Sequence, residues 1–240
     1  MKNILDQQVK AYEGELQFDF DNEIMLNWYP KRIIHFAKGA QSVLELGLGH
    51  GYTTHIFSKN FKRHVVLDGS PAVIGHFKKK YPDCPAEIIE TYFENYYTDE
   101  KFELVVMGFI LEHVDDPIQI LNHYRQFLAP GGKLFVAVPN AEVLNRRLGY
   151  IAGMLPDMQL LSENDHLLGH QRYYAVESLL EDIRSAGYEI ERTEGIYLKP
   201  LTSKQMVSLD LDKRLIDALC EVGIDYPELS CGIMVELKVA

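Results

Sequence analysis

The sequence predicts an α/β fold, a mostly parallel sheet of seven strands wound on both faces by helices. Three observations carry that reading. From Ser42 onward, short apolar runs alternate with stretches of helical periodicity. The runs are nearly all apolar, with β-branched residues at their centres, which suits strands buried on both faces rather than a half-wet sheet. Two of the intervening helical stretches open on a capping residue followed by proline, at Ser70-Pro71 and Asp116-Pro117.

In chain order, residues 1–40 read as a helical cap ahead of the sheet, with Pro30 opening its last helix. Five strand candidates follow: SVLEL (Ser42–Leu46), HVVLD (His64–Asp68), AEIIE (Ala86–Glu90), FELVVM (Phe102–Met107) and KLFVAV (Lys133–Val138). The helix opened by Asp116 has an apolar face of Ile118, Leu121, Tyr124, Phe127 and Leu128, and the APGG of Ala129–Gly132 turns the chain into the fifth strand. Residues 141–175 are irregular, aromatic and histidine-bearing, too long for an ordinary connection, and predict a lid or pocket wall. A helix is expected over about Val176–Ala186, ended by Gly187, and another over about Leu209–Val222 between the final strands YEIERTEGIYL and CGIMVELKV. With no repeat or linker, residues 1–240 form one domain: cap 1–40, core 41–140, lid 141–175 and a substrate-side half 176–240.

Composition bounds the partners. A chain of 240 residues with 47% apolar content supports its own core. Cys84, Cys220 and Cys231 are an odd number at wide spacings, read as reduced packing thiols. The opening residues break their apolar positions with charge, and no window nears the roughly 18 apolar residues of a membrane span, so a soluble, cytoplasmic protein without a membrane partner is expected. The formal charge of −11, with short and separated basic runs, argues against nucleic acid.

The chemistry-bearing signal is VLELGLGHGYTT, Val43–Thr54. Gly47, Gly49 and Gly51 let the backbone turn sharply and leave no Cβ between the strand and a ligand, while the next helix aims its first amides at the same place. A phosphate, a nucleoside or a plain tight turn would each fit. Dinucleotide loops need a third glycine where this chain has Tyr52, which disfavours a nicotinamide cofactor. Asp68, ending the second strand, is placed to grip two ribose hydroxyls across the crevice.

With these pieces in order, the chain resembles the class I S-adenosylmethionine-dependent methyltransferases over about residues 40–140. LELGLGHG resembles the family's first motif and LDGSP its second. EKFELVVMGFILEHVDDP resembles the stretch around the fourth strand, and LAPGGKLFVAVPN the fifth. The resemblance implies a Rossmann-like sheet whose last strand is antiparallel. It also implies that Glu45, Gly47, Gly49 and Gly51 surround the methionine part of S-adenosylmethionine, with Asp68 on the ribose and Gly69, Ser70, Tyr92 and Phe93 near the adenine. Met107 and His113 are expected beside the cofactor, His113 in a structural role. Thr91 stands where the family often has an acidic residue for the adenine amino group. Backbone amides with Tyr92 or Phe93, or else Glu94, would take over, and either aromatic could equally be core filler.

Methyl transfer from a sulfonium is an in-line displacement, so the protein must mainly align the acceptor and exclude water, with a base needed only for a hydroxyl or ammonium acceptor. The Asn/Asp-Pro-Pro-Tyr/Phe motif of base-methylating relatives is missing from VVMGFI. Met107 with Gly108, and Pro139 with Asn140, replace the strand-end carboxylates of magnesium-dependent relatives, so no metal is expected. SENDHLLGHQRYY, Ser162–Tyr174, concentrates candidate acceptor-side groups: His170 or His166 as base, Arg172 as an anion ligand, and Tyr173. Trp28, Tyr29 and Lys199 are the further expected substrate contacts; each also has a bland reading as core or solvated side chain. The whole chain looks most like bacterial small-molecule O-methyltransferases of specialised metabolism and surface-polysaccharide clusters, among them a phosphonate O-methyltransferase. The expectation is methylation of a small polar, anionic metabolite at oxygen by a monomer or homodimer. N-methylation of an amino sugar or peptide, and a non-catalytic cofactor-binding module, are the alternatives.

Overall fold

In the computed structural model, which describes Leu5 and residues 19–239, β1 (Ser42–Leu46) pairs in parallel with both β2 (Arg63–Asp68) and β4 (Phe102–Gly108). β3 (Glu87–Glu90) extends the sheet beyond β2, and β5 (Leu128–Pro139), β7 (Gly232–Val239) and β6 (Tyr188–Ile196) extend it beyond β4. The order is therefore β3-β2-β1-β4-β5-β7-β6, and β7 runs antiparallel to both of its neighbours. The strand order reverses between β1 and β4, and in open α/β sheets the crevice beyond the strand ends at that point is where ligands sit.

Alternation along the strands sorts the core into two layers. Leu44, Leu46, Val105, Met107, Val136 and Val138 face one way, onto Leu121 and Tyr124 of α4 (Pro117–Arg125) and Leu179 and Ile183 of α7 (Val176–Ser185). Val43, Leu104, Val106, Phe135 and Ala137 face the other way, onto Met25, Tyr29 and Ile33 of α1 (Asp19–Phe36). A third cluster, around Val66, sets α3 (Pro71–Lys80) through Val73, Ile74 and Phe77. Each fully buried Leu, Val or Phe side chain contributes about 1.5–3 kcal/mol of apolar transfer.

Both proline-marked caps form: Ser70 Oγ accepts from the Val73 amide at 3.2 Å, and Asp116 Oδ1 from the Gln119 amide at 2.9 Å. Several boundaries differ from the expectation. Pro30 lies inside α1 rather than opening a helix. It gives up one backbone donor, but Met25, Tyr29 and Ile33 bury one stripe on the sheet, and that packing carries the helix through. The lid is not irregular throughout, since α5 (Leu144–Ile151) and α6 (Glu163–Leu168) form within it. The helix expected from Leu209 starts at Lys213 as α9 (Lys213–Gly223), because Asp212 caps it by accepting from the Arg214 amide. A separate α8 (Ser203–Ser208), capped by Thr202, precedes it. The turn expected at Ala129–Gly132 lies within a longer β5, as a shift in pairing between Phe102 and Leu104. The part of the cap before residue 19, Leu5 apart, lies outside the described residues. No described helix is long and apolar enough to cross a membrane.

Replacing Asp116 by alanine should lower unfolding stability by about 1 kcal/mol with an unchanged denaturant slope, since it removes one capping acceptor from α4. An unchanged urea midpoint would show that Pro117 alone sets the start of that helix.

Candidate functional site

A cavity of about 450 Å³ opens at the β1/β4 switch point, walled by the glycine loop, the ends of β2 and β4, α1 and the lid. The loop between β1 and α2 (Tyr52–Phe57) is built as its sequence suggests. Gly47, Gly49 and Gly51 all have positive φ, at 80°, 47° and 79°, a region costing other L-residues about 1–2 kcal/mol each. A Cβ on Gly47 would also stand 2.7 Å from Ile110 Cδ1, so even a methyl group would crowd the cradle. Asp68 fastens this loop: its Oδ2 accepts from the Leu48 amide at 2.9 Å and its Oδ1 from the Ser70 amide at 2.8 Å. Burial raises its pKa above the ordinary aspartate value, against the pull of those two amides. Each oxygen keeps a further lone pair for a ligand hydroxyl. Beneath the loop, Glu45 is 2% exposed and its Oε2 lies 2.9 Å from His64 Nε2. Tyr29, from α1, meets Thr53 of α2 hydroxyl to hydroxyl at 3.0 Å.

The lid and the segment after β4 bring a second set of polar groups to the same cavity. Glu112 is 1% exposed, and neither carboxylate oxygen has a hydrogen-bond partner among the described residues. Burial pushes its pKa up to about 7, against the pull of His170 and Arg172. Burial and the neighbouring His170 hold His113 down at about 3. The rings of His113 and His170 meet edge-on with centroids 4.7 Å apart. His170 Nδ1 lies 3.2 Å from Asp165 Oδ1 without an aligned hydrogen bond, and Asp165 accepts from the Ser162 amide at 2.7 Å and the Tyr173 hydroxyl at 2.6 Å. Burial works to raise the Asp165 pKa, but these donors outweigh it and hold the carboxyl well below the ordinary range. Lys199, 8% exposed, is neutralised by Asp21 at 2.8 Å. Arg146 has no carboxylate partner among the described residues. Its Nε and Nη2 donate to the carbonyls of Ala141, Met158 and Leu160, its guanidinium lies 4.7 Å over the Tyr173 ring, and Nη1 makes no hydrogen bond among the described residues.

Most of the residues expected from the sequence meet here. Glu45, Gly47, Gly49, Gly51, Asp68, Gly69, Ser70, Phe93 and His113 line the cavity, as do Tyr29, Tyr173, His170 and Lys199. Five do not. Met107 is turned away by strand alternation, into the layer under α4. Trp28, next to Tyr29 on α1, lies about 100° round the helix from it and packs outside the cavity. His166 is exposed on the outer side of α6, whose Asp165 and Leu168 face inward. Arg172 is spent on backbone, donating to the carbonyls of Leu111, Val114 and Asp115. Tyr92 stands beside Gly69, 45% exposed, outside the lining. The sequence reading missed Glu112, Asp165, Arg146 and Asp21, all of which line the cavity. The Glu112-His113 pair, followed in the lid by a second histidine, was the available signal for the first of these.

The loop and Asp68 fit the expected sulfonium nucleoside: glycines bare the backbone, and a buried carboxylate waits at the ribose position. Asp68→Ala should weaken S-adenosylmethionine binding about 100-fold, the loss of two charge-assisted hydrogen bonds. Because the carboxylate is the acceptor and its pKa is raised, wild-type affinity should fall as pH drops, with a midpoint above the ordinary aspartate value of about 3.9. Titration calorimetry between pH 4 and 8 checks both; pH-independent affinity would remove Asp68 from the ribose.

Comparison with known proteins agrees with this geometry. The family described as "Methyltransferase domain" matches residues 24–193. A probable S-adenosylmethionine-dependent methyltransferase of Mycolicibacterium smegmatis is 26% identical over 167 residues, covering 70% of this chain and 59% of that protein. Malonyl-[acyl-carrier protein] O-methyltransferase 1 of Ilyobacter polytropus is 31% identical over 104 residues, 42% of this chain and 39% of that protein. The chain thus spans less than two thirds of the length of these two curated relatives. In fold, it matches a crystal structure of a methyltransferase from Thermotoga maritima, described as a possible histamine N-methyltransferase, with a TM-score of 0.67, 17% identity and coverage of 99% of this chain and 98% of that one. Its sequence, its β1 loop and its sheet order together place the chain in the methyltransferase-domain family, among the class I S-adenosylmethionine-dependent methyltransferases.

Proposed function

We propose that the protein methylates a small, anionic metabolite at oxygen, using S-adenosylmethionine. The observation that carries this reading is the shared cavity: the glycine loop and Asp68 line the same space as Arg146 and the Glu112–His113–His170 group. Bound S-adenosylmethionine supplies a methyl group on positively charged sulfur; the acceptor oxygen forms the new bond to carbon as the carbon–sulfur bond breaks, and the electron pair stays on sulfur as a neutral thioether.

The chain's own part is positioning and proton handling. Arg146 is the cation left available to an acceptor anion, because Lys199 is already neutralised by Asp21 and Arg172 is consumed by backbone carbonyls. The uncommitted Nη1 of Arg146 offers two N–H groups to a carboxylate or phosphonate. His170, its ring held by Asp165, and its neighbours Glu112 and His113 assist loss of the proton from a hydroxyl acceptor. The lid contributes Arg146, Tyr173 and Leu168 to the cavity wall, which limits water around the reacting atoms. The Ilyobacter relative is named as an O-methyltransferase, which agrees with oxygen as acceptor.

N-methylation is the second reading, favoured by the carboxylates of Glu112, Asp165 and Asp21 in the lining, which would attract an ammonium group, and by the name of the Thermotoga protein. The test is a panel of small hydroxy acids, phosphonates, phenols and amines, incubated with methyl-labelled cofactor, with mass analysis of the products. An O-methylated acid is the expected product. Arg146→Met should raise its KM at least 10-fold, and His170→Ala should lower kcat at least 100-fold for a hydroxyl acceptor, with cofactor affinity unchanged in both. An N-methylated product, or full activity in both variants, would overturn this assignment.

A further inference from the structure

We propose that Glu112, His113 and His170 form a binding site for one divalent transition-metal cation, with Zn²⁺ the best fit. One ligand atom from each of the three lies within 4.8 Å of the others, close enough for all to meet a single ion after small side-chain movements. An independent observation points the same way. The Glu112 carboxylate, 1% exposed, has no hydrogen-bond partner on either oxygen among the described residues, and buried polar groups left so are rare because each costs about 1–3 kcal/mol. A cation between the carboxylate and the two imidazoles would satisfy both oxygens.

The surroundings have the form of a supported metal site. Metal-binding imidazoles usually give their second ring nitrogen to a carboxylate or carbonyl, which fixes the ring and the tautomer. His170 Nδ1 lies 3.2 Å from Asp165 Oδ1, near enough for that carboxylate to turn the ring by charge, although the two atoms are not aligned as a hydrogen bond. His113 Nε2 lies 4.0 Å from Glu112 Oε1. Asp165 is itself anchored by Ser162 and Tyr173, so the support extends one layer further. Two imidazoles and one carboxylate select zinc, iron or nickel over magnesium, which demands oxygen ligands. The ligands follow β4 by a few residues and return from the lid, away from the strand-end positions on which the expectation of no metal rested.

Three protein ligands leave open positions on a tetrahedral or larger coordination shell, the arrangement of catalytic rather than structural sites. The inference deepens the methyl-transfer reading and rests on it for its purpose. With the ion bound, an acceptor oxygen on it would lose its proton to solvent near neutral pH and His170 would serve as ligand; the proton-accepting role of His170 belongs to the metal-free site. An anionic acceptor would be favoured by the ion's charge as well as by Arg146.

The test uses the full chain, stripped with a chelator and then titrated calorimetrically with ZnCl₂, MnCl₂ and MgCl₂. One equivalent of Zn²⁺ should bind with Kd below about 10 μM, Mg²⁺ at least 10-fold more weakly. Glu112→Gln and His113→Ala should each weaken Zn²⁺ at least 30-fold, and Asp165→Asn about 10-fold. Two ligand variants are used so that one failing to fold still leaves the other, and Co²⁺ absorption in the visible range reports the histidine environment directly. No stoichiometric Zn²⁺ binding, or equal affinity in wild type and the folded variants, would overturn the site. S-adenosylmethionine titrated into the same stripped protein separates the two readings: if it binds while Zn²⁺ does not, only the metal site fails.

Discussion

Both oxygens of the Asp68 carboxylate are taken by backbone amides, one at Leu48 and one at Ser70, and the cavity is organised around that clamp. Through it the end of β2 holds the glycine loop after β1 and the first turn of α3 in one arrangement. The clamp is affordable because the loop's glycines accept left-handed backbone without steric penalty, and because Ser70 and Pro71 start α3 where its amide can reach the carboxylate. A carboxylate already ordered and desolvated by the fold needs little further reorganisation to accept a ligand hydroxyl, which is how preorganised sites gain affinity.

The sheet determines what else can reach that cavity. Period-2 alternation along β4 turns Met107 into the layer under α4, while β1 turns Glu45 towards the loop. The lid then carries groups the sheet cannot: Arg146 from α5, Asp165 and Leu168 from α6, His170 and Tyr173 from the irregular run after it. Lys199 reaches the cavity from beyond β6 but arrives with its charge cancelled by Asp21 of α1. Among the described lining residues Arg146 is thus the cation without a carboxylate partner, and lid carbonyls hold its guanidinium in place.

The strands themselves, and the residues that gather around the glycine loop, were legible in the sequence because they follow from local rules. Glycines at alternate positions, an acid at a strand end and proline-marked caps each have one favourable backbone solution, and all of these formed. The acceptor side was less legible, since it depends on which way side chains turn. His166 and Asp165 are neighbours in sequence, yet about 100° apart on α6, so Asp165 lines the cavity while His166 is exposed outside it. Arg172 carries the right chemistry for an anion, but three carbonyls of the segment after β4 claim it. Glu112 is marked in the sequence only by its neighbour His113 and the later lid histidine; its burial without a hydrogen-bond partner among the described residues sets it apart in the structure. Pro30 shows the same limit at the level of helices, where packing on the sheet outweighs one missing donor.

The central claim is that the bare backbone after β1 receives a charged sulfur nucleoside. Equilibrium titration of S-adenosylmethionine into the wild-type chain and into Gly49→Val, with circular dichroism to establish that both are folded, addresses it most directly. The account predicts one nucleoside per wild-type chain and affinity reduced at least 100-fold in the variant. Folded wild-type protein that binds none, or a variant that binds equally well, would contradict it.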